Sequence, residues 1–295
     1  MIEAIQLWNE PNNIAYWDYT LDPEWQLFAR MIAWAADAIH DETPDVTVVL
    51  AGISPIDPAF LDLLLSYYGL AGHVDAVAAH GFPQDWQLWP FDAWPAQVES
   101  LRRVARGLPL WITATGCSSF GCEEVQVFGV QRTFQLLRGG VERIFWYSLF
   151  DLPRSRMVLT RHKESEGSDY YRHFYTGLIR DDGVPKPALA YLPRDAGVCQ
   201  WIAFEERDLV EALACWMTRL GLRSLRTNIS WADWHRPDAL RWFDYMMERL
   251  EPFALTVTLC FTPPSRGIRP DPTSPPANPG EFAYFCREVV RRYVR

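Results

Sequence analysis

The chain reads as an α/β protein, a (β/α)8 or TIM barrel that fills one domain, and three observations predict this. Eight short apolar, β-branched or aromatic runs alternate with longer amphipathic stretches, the pattern of parallel strands joined by crossover helices. The length, 295 residues, suits one barrel, because such folds routinely take ~250 residues as a single domain. Composition is that of an ordinary globular chain, with 49% hydrophobic and 22% charged residues, so a core is available and disorder is not expected.

The first strand is read at Ala4 to Asn9, the end of the apolar run that starts at Ile2. The β-branched run Val46 to Gly52 gives the second and Val74 to His80 the third. Leu108 to Thr113, Arg143 to Ser148, Val198 to Ala203, Ser224 to Asn228 and Leu255 to Phe261 complete the set. Between them, Asp22-Pro23-Glu24 opens a helix with a cap and a first-turn proline, and Asp57-Pro58 opens another. Further helices are expected over Glu123 to Leu137, Glu206 to Leu220, Pro237 to Leu250 and Pro279 to Arg292.

The formal net charge of -9 excludes a nucleic-acid or anionic-membrane partner, since both require a basic surface. No stretch of ~18 uninterrupted apolar residues and no basic-then-apolar leader is visible, so the expected location is cytoplasmic. Most of the 14 tryptophans are expected in the core, with some indole faces available to a sugar ring. Of the six cysteines, Cys199, Cys215, Cys260 and Cys286 lie in apolar segments and read as buried free thiols. Cys117 and Cys122 are five apart in a loop that permits a small disulfide or none, and they are read as reduced. No histidine or further thiol stands nearby, so no metal and no cofactor is called for.

Two strand ends carry the chemistry. Leu7-Trp8-Asn9-Glu10-Pro11-Asn12-Asn13 presents a carboxylate beside an amide where an apolar strand stops, which is where barrel enzymes keep catalytic groups. Leu110-Trp111-Ile112-Thr113-Ala114-Thr115-Gly116 is a second such end, without a carboxylate.

Trp8 to Asn12 resembles the fourth-strand signature of the retaining glycoside hydrolases of clan A, in the manner of family 39 β-glycosidases. The resemblance extends to Leu225-Arg226 as the second-strand arginine, Ala79-His80-Gly81-Phe82 as the sixth-strand histidine segment and Phe145-Trp146 as the eighth-strand tryptophan. It implies a carbohydrate substrate. It makes Glu10 the general acid/base, which protonates the glycosidic oxygen and then activates water, and Asn9 the ligand of the sugar 2-hydroxyl. Trp146 would floor the pocket and Trp8 would be packing. Arg226 would support the nucleophile, and His80 either contacts substrate or is a core histidine. Phe82 stands where several clan members use tyrosine.

Retention requires a second carboxylate ~5 Å from the first. The family pattern places it where this chain has Ala114, so turnover is expected to be nearly lost and sugar binding kept. An introduced Glu-to-Ala change and a natural loss both give this segment, and a carbohydrate-binding pseudoenzyme is the alternative function. Glu123 and Glu124 read as first-turn helix residues, and Asp151 and Asp233 as rim residues without motif context.

The resemblance also implies a circular permutation, because the acid strand has three strands before it in the family and none here. Residues 1–192 would supply strands four to eight, 193–197 the junction of the old termini, and 198–295 strands one to three. Asp151 to Tyr175, with Arg154, Arg156, Arg161, Lys163 and Glu164, is expected as a long rim loop, and the proline-rich stretch from Pro263 to Pro279 as one cleft wall.

Overall fold

The computed structural model describes residues 1–154 and 171–294. Eight parallel strands close into a barrel in chain order: β1 (Ile2–Asn9), β2 (Thr47–Ile53), β3 (Ala76–Gly81), β4 (Leu110–Thr115), β5 (Arg143–Tyr147), β6 (Gly197–Cys199), β7 (Ser224–Ser230) and β8 (Ala254–Cys260). β8 pairs back onto β1, with Leu7 opposite Leu259, and β5 pairs with β6. Residues before and after the 193–197 segment therefore share one ring, and no sheet edge is left open.

The strands fall where the apolar runs predict, except the sixth. It was expected to reach Ala203 and stops at Cys199. Beyond that point Asn228 of β7 replaces the ladder with its side chain: Ile202 N donates to Asn228 Oδ1 at 3.0 Å, and Asn228 Nδ2 donates to Ile202 O at 3.1 Å. The strand start is set by Gly197, where any Cβ would overlap the Phe145 ring of β5.

Helices α1 (Gln26–Glu42), α2 (Pro58–Asp62), α3 (Trp94–Val104), α4 (Glu123–Leu137), α5 (Arg207–Leu220), α6 (Trp231–Trp234), α7 (Ala239–Leu250) and α8 (Pro279–Tyr293) are placed around the strands. Asp57 caps α2 as expected, accepting from Ala59 N and Phe60 N at 3.0 Å. α1 starts later than Asp22-Pro23-Glu24 suggests, after Trp25 in a left-handed turn (φ 62°). Asp22 nevertheless accepts from Leu27 N and Phe28 N at 3.1 and 2.9 Å, so it neutralises first-turn donors from outside the helix. α8 lies against α1 through Arg291–Glu42 (2.8 Å) and Arg287–Asp41 (3.8 Å).

The main apolar layer fills the space between strands and helices, with Trp8, Trp17, Phe28 and Phe282 in edge contacts of 5.1 to 5.6 Å. A second apolar cluster joins strands around the ring, with Ala4, Val49, Ala76 and Ala78 small and Trp111 and Phe145 large. All six cysteines are free; Cys122 is exposed, and so is Cys215, which corrects the expectation that it is buried. Among the described residues no helix is long and apolar enough to cross a membrane. Arg156, Arg161, Lys163 and Glu164 of the expected rim loop lie outside the described residues.

Candidate active site

The end of β1 is built by two backbone reversals. Trp8 (φ 72°) and Glu10 (φ 42°) both occupy the left-handed region, which costs a non-glycine residue on the order of 1 kcal/mol and recurs at functional sites. The Trp8 indole is anchored outside the ring, donating to Tyr16 O at 3.0 Å and packing edge-on to Trp17 and Phe282. Glu10 N donates to Gly52 O at 3.1 Å, and Asn13 N closes the turn on Glu10 O at 2.9 Å. Asn12 serves the neighbouring loop, accepting from Ser54 N and donating to Pro55 O.

Both carboxylate oxygens of Glu10 are held. Asn13 Nδ2 donates to Oε2 at 3.1 Å, and His80 Nδ1 lies 2.7 Å from Oε1. His80 comes from β3, and its Nε2 is 3.0 Å from Thr113 Oγ1 on β4. Gly52 makes this possible, because a Cβ there would overlap the imidazole. Burial, and next the Arg226 charge, push the His80 pKa below its ordinary value, against the opposing pull of Glu10. The ring is therefore neutral at pH 7: Nδ1–H donates to the Glu10 carboxylate and Nε2 accepts from the Thr113 hydroxyl.

Arg226 on β7 is 3% exposed. Its Nε donates to Thr258 Oγ1 (3.1 Å), Nη1 to Thr113 O and Cys199 Sγ (both 3.3 Å), and Nη2 to Asn9 Oδ1 (2.7 Å). Asn9, Glu10, His80, Thr113 and Arg226 thus form one hydrogen-bonded group linking β1, β3, β4 and β7. Asn9 spends its carbonyl on Arg226, and its Nδ2 has no partner among the described residues. Ala114 follows Thr113 directly, at a register break of β4 against both neighbours, and is 3% exposed. Its methyl belongs to the apolar cluster that includes Phe82, Phe145 and Cys199.

Trp146 is not in this group. Its indole is fully buried outside the ring against Phe134 of α4, ring centres 6.4 Å apart, which corrects its expected place under a sugar. The neighbouring Tyr147 is on the other side, 5.9 Å edge-on from Phe82, which in turn meets Trp86 at 4.4 Å. Alternation along β5 makes one of the two aromatics face in, and the strand's exit residue is the one that does. Across the mouth, Tyr16 stacks on Phe261 (6.2 Å), with Trp201 beyond it (5.8 Å). Burial first, then the Glu10 charge, raise the Tyr16 pKa well above its ordinary value, so it is a neutral hydroxyl. Neither Tyr16 nor Tyr147 stands out in the sequence, since each is a single aromatic in a loop or strand exit.

The other rim carboxylates are committed elsewhere. Asp151 pairs with Lys186 at 2.7 Å and accepts from Gly177 N at 2.8 Å, in a buried hub where Lys186 also donates to Ser119 Oγ and Tyr175 O. Beside it Gln126 Nε2 of α4 lies within 2.9 to 3.4 Å of the carbonyls of Cys117, Tyr175, Thr176 and Gly177. Glu123 holds Arg180, Glu124 accepts from Cys122 Sγ, and Asp233 pairs with Arg236. Asp85, passed over in the sequence, is buried, pairs with the half-buried Arg172 and accepts from Ser118 N at 2.7 Å. The proline-rich stretch reaches the β1 exit loop, where Asp18 N donates to Thr273 O at 2.8 Å. Among the described residues no group of three or more His, Cys, Asp or Glu side chains is arranged to hold a metal ion.

No protein-family model matches this chain, and no curated protein matches it. Among solved structures, a β-galacturonidase of glycoside hydrolase family 2 from Eisenbergiella tayi bound to glycerol is similar at 16% identity and a TM-score of 0.40, over 53% of this chain and 28% of that one. This chain therefore spans under a third of that relative's length. An active-site mutant of a Rhizomucor miehei β-1,3-glucanosyltransferase in complex with laminaritriose gives 15% identity and a TM-score of 0.43 over 64% and 62% of the two chains. The Pseudomonas stutzeri endoglucanase Cel5A gives 11% and 0.42 over 78% and 75%.

Proposed function

We propose that this barrel is a glycoside hydrolase of the retaining β-glycosidase type, acting on O-glycosidic bonds of a carbohydrate, in a form that lacks its nucleophile. The observation that carries the reading is the hydrogen-bonded group around Glu10, which ties the acid through His80 to Thr113, the residue next to Ala114. In this reading Glu10 delivers a proton to the leaving oxygen, and His80 and Asn13 hold its two oxygens in position. Asn9 Nδ2 meets a sugar hydroxyl, and Tyr147, rather than Trp146, offers a ring to the substrate.

The spacing of the strands supports a circular permutation. In the resembling enzymes acid and nucleophile sit on strands four and seven; here Glu10 directly follows β1 and Ala114 is on β4, the same step around the ring. His80 on β3 and Arg226 on β7 then fall at positions six and two. Residues 1–192 would be strands four to eight and 198–295 strands one to three.

One observation favours the second reading, a sugar-binding pseudoenzyme: Ala114 has apolar Phe82, Phe145 and Cys199 in its cluster, and Phe82 stands where tyrosine would serve a carboxylate. Ala114→Glu separates the two. Hydrolysis of an aryl β-glycoside by that variant, at least ~10³-fold above the parent, supports the enzyme, because a nucleophile restores the covalent route. An inert variant that still binds sugar saturably supports the pseudoenzyme. Activity that depends on Glu124 instead overturns the assignment of position 114.

A further inference from the structure

We infer that Tyr16 is a substrate-contacting residue that sets specificity: its hydroxyl donates a hydrogen bond to an oxygen of the sugar held beside Glu10. This rests on the reading of the site as one that binds a sugar, and it adds a contact that the strand-end motifs do not contain. Tyr16 lies in the same exit loop as Glu10 and is fixed there through its backbone. Its N–H donates to Asn13 O at 2.8 Å, and its carbonyl accepts from the Trp8 indole at 3.0 Å. Asn13 in turn donates to Glu10 Oε2. The turn that carries the phenol is therefore the turn that holds the acid.

The ring is fixed as well. Phe261, just beyond β8, takes a left-handed conformation (φ 69°), which is costly for an aromatic residue and recurs where a functional site is held in shape. Its ring stacks on Tyr16 at 6.2 Å, and Trp201 meets Phe261 edge-on at 5.8 Å.

At the end of this fixed ring the hydroxyl has no hydrogen-bond partner among the described residues. Three other tyrosines spend theirs: Tyr68 donates to Glu24 O, Tyr245 to Glu211 Oε1 at 2.6 Å and Tyr293 to Asp244 Oδ1 at 2.8 Å. Tyr16 is half-buried, so a ligand can reach it. Burial and next the Glu10 charge hold its proton on, with Arg226 pulling the other way, so the group is a donor that faces the charges of the candidate site. A donor held in place in advance costs a ligand little ordering, and a ligand without the matching acceptor leaves it unpaired. That asymmetry is what makes the contact selective.

The test is calorimetric titration of the full chain and of Tyr16→Phe, which keeps the ring and its stacking on Phe261. The probes are methyl β-glucoside, methyl β-galactoside and methyl β-xyloside, and then each monodeoxy analogue of whichever binds tightest to the parent. Tyr16→Phe should bind that sugar about three- to tenfold more weakly, the effect of one neutral hydrogen bond. One deoxy analogue should bind the parent and Tyr16→Phe alike, which identifies the oxygen that Tyr16 meets. Equal binding by the two chains on every sugar overturns the inference. So does the same loss on every analogue, the mark of a structural role, and so does a parent chain that binds none of the three glycosides saturably. Hydrolysis by Ala114→Glu beside an unaffected Tyr16→Phe leaves the glycosidase reading standing without this contact. A loss confined to one analogue's oxygen beside an inert Ala114→Glu keeps the contact and places it in a sugar-binding pseudoenzyme.

Discussion

Two buried cations sit on the same barrel and are treated in opposite ways. Lys186 is enclosed with Asp151, Ser119 and the Tyr175 carbonyl, so each of its donors meets an acceptor and its charge meets a carboxylate. Arg226 is as deeply buried and, among the described residues, meets only neutral oxygens and a thiol. The first arrangement ties loops together around a paired charge; the second is an arginine beside Glu10 with no direct ion-pair partner among the described residues. The contrast is one of charge compensation, read without recourse to motif.

Lys186→Met should give the largest stability loss, about 3 kcal/mol, by leaving Asp151 buried without its cation. The loss stays at the lower end because burial already pushes Asp151 up to about 6, and it can take up a proton. Urea denaturation at pH 8 measures it. Gly52→Ala comes next, at about 1–3 kcal/mol, because the new methyl must displace the His80 imidazole from between Glu10 and Thr113. An unchanged melting temperature, with His80 still shielded from exchange, would show that the clearance is not needed.

A pH effect sharpens the contrast further. His80 has a depressed folded pKa against an ordinary value of 6.5, so its contribution to stability is present above pH 6.5. It is lost as pH falls from 6.5 through the lowered folded value. The melting temperature should drop over that interval, and drop less in His80→Gln; parallel curves for the two proteins would contradict a neutral buried imidazole. Arg226→Met should have the smallest effect, within about 1 kcal/mol, since relief of an unpaired charge offsets the loss of its hydrogen bonds. If Arg226→Met destabilises as much as Lys186→Met, the contrast between the two cations fails.

The ring itself is legible in the sequence, because eight apolar runs alternating with amphipathic ones leave little choice of architecture, and Asp57-Pro58 marks its helix by local chemistry alone. Side-chain substitution for backbone pairing is not legible: Asn228 ends β6 early with a contact no periodicity reveals. α3 is not among the helices read in the sequence, although Trp94, Val98 and Leu101 give it an apolar face at helical spacing and Arg102 and Arg103 stay exposed. In the candidate site, Asn9, Glu10 and His80 come together from strand ends, and Arg226, near the start of β7, reaches them with its long side chain. Trp146 and Tyr147 show the limit, since a one-residue change of phase at a strand exit exchanges the inner and outer faces.

Gln126 and Lys186 reach into the same loop from different elements and between them occupy the carbonyls of residues 175 to 177 and of Cys117. The path of this segment is therefore set in part by buried side-chain donors from two elements, and truncating Gln126 would take the side-chain donor from the carbonyls of Cys117 and Gly177 together.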